Sequence, residues 1–277
     1  YAPEARVIHI DIDAAEHGKI IKPDVSLVCD ARKALSALAD KVSPCHERPE
    51  WMETAQEAYD RERRYVIDRA VAPAEGDITM GEAVDKVASA CGGEAVIVTD
   101  VGQHQMFASR YSRLNRTRSF ITSGGLGTMG FGLPAAIGAK VGRPDRQVVL
   151  FVGDGGLQMT VQELGTVMQS GISVKIVVLD NGYLGMVRQW QQLFFESRYS
   201  FTTLADPDFT LLASAYGIAS RRVCERDGLE EAVKAMLAHD GPYLLDVAVE
   251  REGNVFPMVP AGKSISSLIF SELNDGK

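Results

Sequence analysis

Two near-continuous apolar runs, VVLFV at 148–152 and VKIVVL at 174–179, constrain this chain more than any other feature. A strand with one wet face alternates apolar and polar residues. A strand that is apolar throughout is covered on both faces, as in a parallel sheet whose crossovers are helices. The neighbouring segments supply those crossovers. Residues 79–91, 134–141, 160–170, 209–216 and 229–238 carry helical patterns, and 95–100 and 243–249 read as further strands. Pro134 suits a first helical turn, where its missing N–H costs nothing. The alternation predicts an α/β fold, a parallel sheet covered by helices on both faces. No internal repeat or low-complexity segment interrupts it.

Residues 6–12 (RVIHIDI) read as a strand, Pro23-Asp24 as a turn, 25–29 as a second strand, and Asp30 as the start of a helix to about residue 41. This piece is too small to cover both faces of its own sheet, so residues 1–42 are expected to be the tail of a second α/β domain. The opening Tyr1-Ala2-Pro3, followed at once by a strand, carries the matching expectation that the chain begins inside a larger protein. Ser43-Pro44 and Arg48-Pro49 break the pattern, and the charged stretch 50–69 reads as a solvated helix, giving a linker over 43–76. Residues 77–277 form the main domain.

Charge and cysteine usage narrow the class. The chain has 277 residues with 29 Lys and Arg against 37 Asp and Glu, a net −8 that argues against a general nucleic-acid or anionic-membrane surface. Arg110, Arg113, Arg116 and Arg118 cluster without interleaved aromatic platforms and read as a solvated or interface face. The cysteines at 29, 45, 91 and 224 show no metal spacing and fit a reducing compartment. Bacterial cytoplasm is expected; an organelle enzyme would have lost its transit segment with residues upstream. The apolar runs are well short of the ~20 residues a membrane span needs.

Two candidate sites emerge. Gly125-Leu126-Gly127-Thr128-Met129-Gly130 matches GxGxxG, but residues 116–121 before it make a poor strand, and the glycines run on to Gly132 and Gly138. A loop that lets backbone or ligand approach closely fits better than a nicotinamide site. The second candidate is stronger. The first apolar run ends in Gly153-Asp154-Gly155 and the next in Asp180-Asn181. In a parallel sheet both ends open on the edge where ligands of α/β folds bind. Asp154 and Asn181 then offer one carboxylate and one amide oxygen side by side, hard ligands suited to Mg²⁺ and its phosphate partners. The helix after Gly155 points its N-terminus at the same place. The structural alternative is that Asp154 caps a helix and Asn181 makes a turn.

Gly153-Asp154-Gly155, followed by 25 residues and Asn181, resembles the diphosphate-binding signature of thiamine diphosphate enzymes. Further blocks resemble one branch of them, the catalytic subunits of the acetohydroxyacid (acetolactate) synthases. They are TDVGQHQM at 99–106, SGGLGTMGFGLP at 123–134, LGMVRQW at 184–190 and VFPMVP at 255–260. The likeness runs over essentially the whole chain. Gly156 departs from a common Ser or Ala, and Asp180-Asn181 from a frequent Asn-Asn; neither removes a metal-ligating group.

The resemblance implies Mg²⁺ on Asp154, Asn181 and the Tyr183 carbonyl, and diphosphate on the Gly155 and Gly156 amides beside Gln103 and His104. Gly127 and Met129 would lie against the thiamine, Met129 as a flexible filler of an irregular gap. Leu184, Gly185 and Met186 complete the cofactor set, while Val101, Met186 and Trp190 would shape the substrate pocket. Met186 and Trp190, four apart, share a face if helical. Phe194, Phe195 and Tyr199 belong to a lid or to plain packing. Asp11, Ile12, Asp30 and Ala31 match contacts with FAD, which serves no net redox step in this family. Each of these residues has a structural alternative in packing, capping or turns.

The implied reaction is decarboxylation of pyruvate on thiamine diphosphate and condensation with a second pyruvate or 2-ketobutyrate, toward branched-chain amino acids. Trp190 would favour 2-ketobutyrate. The family's catalytic glutamate lies in a pyrimidine-binding domain outside this chain, so no catalytic residue is expected here and the chain alone should not turn over. A homodimer or larger assembly with the site between subunits is implied, with room for a regulatory subunit. Another thiamine diphosphate enzyme, a pyruvate oxidase or 2-keto acid decarboxylase, and a non-catalytic truncated module stay open.

Overall fold

The computed structural model describes residues 4–43 and 48–271. Tyr1-Ala2-Pro3, Pro44 and Cys45 lie outside them. Contacts divide the chain into one compact unit of residues 1–60 and 259–268 and another of 61–258 and 269–277.

In the first unit, parallel strands β1 (Ile8–Asp11) and β2 (Val25–Val28) pair with Asp11 opposite Val28. Helix α1 (Ala31–Ala39) follows, its N-terminus capped by the Asp30 carboxylate on the Lys33 amide at 3.2 Å. The expected linker is helical: α2 (Pro49–Glu62), a π-helical turn (Arg63–Ile67) and α3 (Asp68–Val71). Its end is more than a solvated connector. Val66 is buried, and Ile67, Ala70 and Val71 pack into the core of the second unit.

That core is a six-stranded all-parallel sheet in the order β4-β3-β5-β6-β8-β7. The strands are β3 (Val96–Thr99), β4 (Phe120–Ile121), β5 (Val148–Gly153), β6 (Lys175–Asp180), β7 (Ala219–Val223) and β8 (Tyr243–Ala248). Alternate side chains face opposite ways. Ile97, Val149, Phe151, Val177 and Leu245 pack with α4 (Met80–Ala90), α5 (Gln103–Tyr111) and α11 (Arg226–Ala238). Val98, Leu150, Val152, Ile176 and Leu244 pack with α6 (Gly132–Gly142), α8 (Glu163–Ser170) and α10 (Phe209–Ala215). Both faces are covered, as the apolar runs require. The short α7 (Asp154–Met159) and α9 (Gly185–Phe194) complete the list.

The chain steps from β3 outward to β4, then returns to place β5 on the other side of β3. Loops after β3 and β5 therefore diverge, which opens a crevice at their carboxyl ends. Gly132 lets α6 sit close against this point. A Cβ there would stand 2.9 Å from Asp100 Cβ, Asp100 N and Leu150 Cδ1. Gly132→Ala is expected to destabilise the chain by about 1–3 kcal/mol through overpacking, read as a lower midpoint in urea.

Candidate functional site

The crevice collects the residues that follow three adjacent strands. Val101, Gly102, Gln103 and His104 come from the β3 end, Gly153–Gly156 from β5, and Asn181, Tyr183, Leu184, Gly185 and Met186 from β6. Met129 of the glycine-rich loop and Met80 of α4 close it.

Asp154 lies at its base, 2% exposed. Its Oδ1 accepts from the Gly155 amide and its Oδ2 from the Gly182 amide, each at 2.7 Å, so β5 and the turn after β6 are laced together. Carboxylate oxygens of Asp154, Asp180 and Asp206 lie within 4.8 Å of one another. Arg222 meets only Asp180 of the three, at 2.8 Å, and also pairs with the buried Asp246. Arg222 and Arg251 offset part of the Asp206 charge, but no cation pairs with Asp154 among the described residues, and its charge is under-compensated. Burial first, and the Asp206 charge second, push the Asp154 carboxyl up to about 7. Burial and Asp180 also raise Asp206.

Asn181 is buried and accepts from the Tyr183 amide at 3.2 Å, keeping an oxygen lone pair for a second partner. Residues 182–184 pair with 202–204 through Leu184 N to Thr202 O and Leu204 N to Gly182 O. That ladder leaves out the Tyr183 carbonyl. A cation held by the Asp154 carboxylate, the Asn181 amide oxygen and the Tyr183 carbonyl, which no described residue bonds, suits Mg²⁺, and its charge answers the surplus of the acids.

His104 is clamped between glycines: a Cβ at Gly102 or Gly153 would stand 2.9 Å from its ring. Burial pulls it down to about 4 against the Asp100 charge, so the ring is neutral at pH 7. Its Nε2 and the Gln103 Oε1 are buried and lack hydrogen-bond partners among the described residues. Buried polar atoms without partners are uncommon, so these two mark the crevice as a place suited to a polar ligand.

Several sequence candidates sit elsewhere. Gly127 is exposed, with φ +62°, and a Cβ there would stand 3.9 Å from Val101, outside the lining. Trp190 lies one turn beyond Met186 on α9, 40% exposed, with its ring 5.0 Å from that of Phe194. Phe195 and Tyr199 are exposed, and Arg188 stacks over Tyr199 at 4.7 Å. In the first unit, Asp11 ends β1 and Ile12 follows it, while Asp30 and Ala31 follow β2 at the same edge. The Asp30 carboxylate is engaged in capping α1.

Asp100 escaped the sequence reading as a functional residue. Fully buried, it accepts from the amides of Val101 (2.8 Å), Gly130 (3.1 Å) and Gly132 (2.7 Å). Amides that a dinucleotide pyrophosphate would need are thus occupied by the protein's own carboxylate, and the loop holds Met129 in the crevice instead. An acidic residue ending a buried strand before a glycine run was the available signal.

Comparison with known proteins agrees with this geometry. The family described as thiamine pyrophosphate enzyme, C-terminal TPP binding domain, matches residues 100–247. The chain is 46% identical over 270 residues to the acetolactate synthase isozyme 2 large subunit of Escherichia coli (strain K12), covering 97% of this chain and 48% of that protein. It is 41% identical over 275 residues to the acetolactate synthase large subunit of Lactococcus lactis subsp. lactis (strain IL1403), covering 99% and 47%. To the chloroplastic acetolactate synthase 2 of Nicotiana tabacum it is 40% identical over 281 residues, covering 97% and 42%. The chain thus spans about half the length of the curated relatives it matches. The matched span contains both strand ends that build the acidic crevice, and the chain belongs to the thiamine pyrophosphate enzymes as a bearer of their C-terminal TPP-binding domain.

Proposed function

We propose that this chain is the diphosphate-binding part of an acetolactate synthase, with residues 77–277 as its pyrophosphate domain. The observation that carries the proposal is the buried, under-compensated Asp154 carboxylate beside the Asn181 oxygen, at the ends of adjacent parallel strands. Asp154, Asn181 and the Tyr183 carbonyl would hold Mg²⁺. The Gly155 and Gly156 amides and His104 would face the diphosphate, while the Gln103 Oε1 beside them, an acceptor, would meet a donor such as water on the bound Mg²⁺; a neutral His104 adds no charge of its own. Met129, Leu184, Gly185 and Met186 would line the organic part, with Gly127 beside Val101. When bound, thiamine diphosphate supplies the carbon nucleophile for decarboxylating pyruvate and passing its two-carbon unit to a second 2-keto acid. The protein's share is position, exclusion of water and orientation of the acceptor.

Val101, Met186 and Trp190 would shape the acceptor pocket. 2-Ketobutyrate exceeds pyruvate by one methylene, a difference of roughly 10–200-fold in a fitted apolar pocket. Trp190→Leu is therefore expected to lower the preference for 2-ketobutyrate by about tenfold or more while leaving thiamine diphosphate affinity unchanged. The product ratio from mixed substrates checks it.

FAD would contact Asp11, Ile12, Asp30 and Ala31 in a structural role. An assembly with the active site between subunits, homodimeric or larger, belongs to the proposal, as does a regulatory subunit. The free Cys29, Cys91 and Cys224 suit a reducing setting, the bacterial cytoplasm foremost. Among the described residues no helix is long and apolar enough to cross a membrane.

The test is acetolactate formation from pyruvate with thiamine diphosphate, Mg²⁺ and FAD, using this chain alone and mixed with the N-terminal half of a relative. Activity on mixing, absent from either part alone and lost with Asp154→Ala, supports the proposal. Release of acetaldehyde or acetyl phosphate in place of acetolactate would move the chain to another branch of thiamine diphosphate enzymes.

A further inference from the structure

Beneath the acidic crevice lies a buried amide network that ties its lining residue Gln103 to α9 and to residues 253–258. Gln189, on α9, is fully buried. Its Oε1 accepts from the Val255 amide at 2.9 Å, and its Nε2 donates to the Val255 carbonyl at 2.9 Å and faces Met258 Sδ at 3.8 Å. Bonding both groups of one backbone residue fixes which end of the Gln189 amide is oxygen. That in turn fixes Gln103, 86 residues away. Gln103 Nε2 donates to Gln189 Oε1 and to the Gly253 carbonyl, each at 2.9 Å, and both partners accept only. The Gln103 amide cannot turn over without facing two oxygens with a third.

Its Oε1 is consequently aimed the other way, at the wall of the crevice formed by Gly185, where a Cβ would overlap it. It is buried there without a donor among the described residues. The same helix holds the following segment at two more points. Arg188 pairs with Glu252 at 2.8 Å, and Asn254 donates to Gln192 at 3.0 Å.

We infer that Gln189 is a positioning residue that holds the Gln103 carbonyl toward the diphosphate crevice and thereby couples filling of the crevice to the seating of residues 253–258. The inference rests on the thiamine diphosphate reading of the crevice. An acceptor cannot face a phosphate oxygen; it can meet a donor carried by the ligand, and water on a bound Mg²⁺ is such a donor. Coupling between two sites is reciprocal, so what tightens the segment also tightens the ligand.

The experiment uses the 277-residue chain with thiamine diphosphate and Mg²⁺ as probes. Binding is read by calorimetry and amide exchange of residues 250–258 by mass spectrometry. In the unmodified chain, exchange of this segment is expected to slow about tenfold with both probes present and not with thiamine diphosphate alone. Gln189→Met, similar in volume but without the amide, is expected to weaken binding roughly tenfold and to uncouple the segment's exchange from the probes. In a Gln103→Met background the same change should cost nothing further, because Gln189 acts through Gln103; a purely structural role would cost the same in both backgrounds. Binding without a change in segment exchange, or an equal cost of Gln189→Met in both backgrounds, overturns the inference alone. Failure of the unmodified chain to bind the probes overturns the reading of the crevice and this inference with it. The exchange measurement on the unmodified chain decides the matter even where Gln189→Met fails to fold.

Discussion

Asp154→Asn is expected to abolish Mg²⁺-dependent binding of thiamine diphosphate while the fold survives. Replacing a group that merely supports a metal ligand typically costs 10–100-fold in affinity, so loss of a ligand's charge should cost about 100-fold or more. The fold has less at stake. The carboxylate receives two backbone N–H groups, and the asparagine oxygen retains one of them. The variant also removes a buried charge crowded by Asp180 and Asp206. Calorimetric titration measures the first effect, and far-ultraviolet circular dichroism with a thermal melt checks the second. Binding that survives with unchanged metal dependence would place the metal elsewhere.

Acidification should weaken metal binding across an unusually high range for a carboxylate. A ligand must be deprotonated to bind. With Asp154 pushed up to about 7 in the metal-free chain, metal and proton compete below neutrality. Apparent affinity should fall about 50-fold between pH 7 and pH 5, approaching tenfold per pH unit at the lower end, and level off above 7. The stability linkage has the matching sign. A raised carboxyl favours the metal-free fold below its unfolded value near 3.8, and that contribution is lost as pH rises through about 7. Metal should restore stability most strongly at the upper end. His104, pulled down to about 4, stays neutral over this window. Mn²⁺ titration followed by electron paramagnetic resonance, without diphosphate, keeps the ligand's own protonation out of the result. A flat profile from pH 5 to 8 would contradict the account.

The central strands were legible because their burial is written in composition: β5 and β6 are apolar nearly end to end and close on glycine and acidic or amide residues. The edges were not. β4 is only Phe120–Ile121, behind a run of arginines, and β7 carries Arg221 and Arg222 on an edge strand. Their places depend on partners: β4 lies on β3, and Arg222 answers Asp180 and Asp246. α5 was hidden for a related reason. Gln103 and His104 are buried at its start because they line a crevice, so the usual apolar periodicity is missing. Asp154 and Asn181 could be read from local turn chemistry. Asp100 left only its place before the glycine run as a signal and Gln189 left none, since their key bonds reach residues 30 to 86 positions away. Nor does local composition reveal that residues 259–268 group with the first unit.

The most direct measurement of the central claim is anomalous diffraction from a crystal of the chain grown with Mn²⁺ and thiamine diphosphate. The account predicts one strong peak in contact with the Asp154 carboxylate and the Asn181 side-chain oxygen, with the Tyr183 carbonyl as the third protein ligand. A peak bridging Asp180 and Asp206 without Asn181, or diphosphate density away from Gly155 and Gly156, would contradict it.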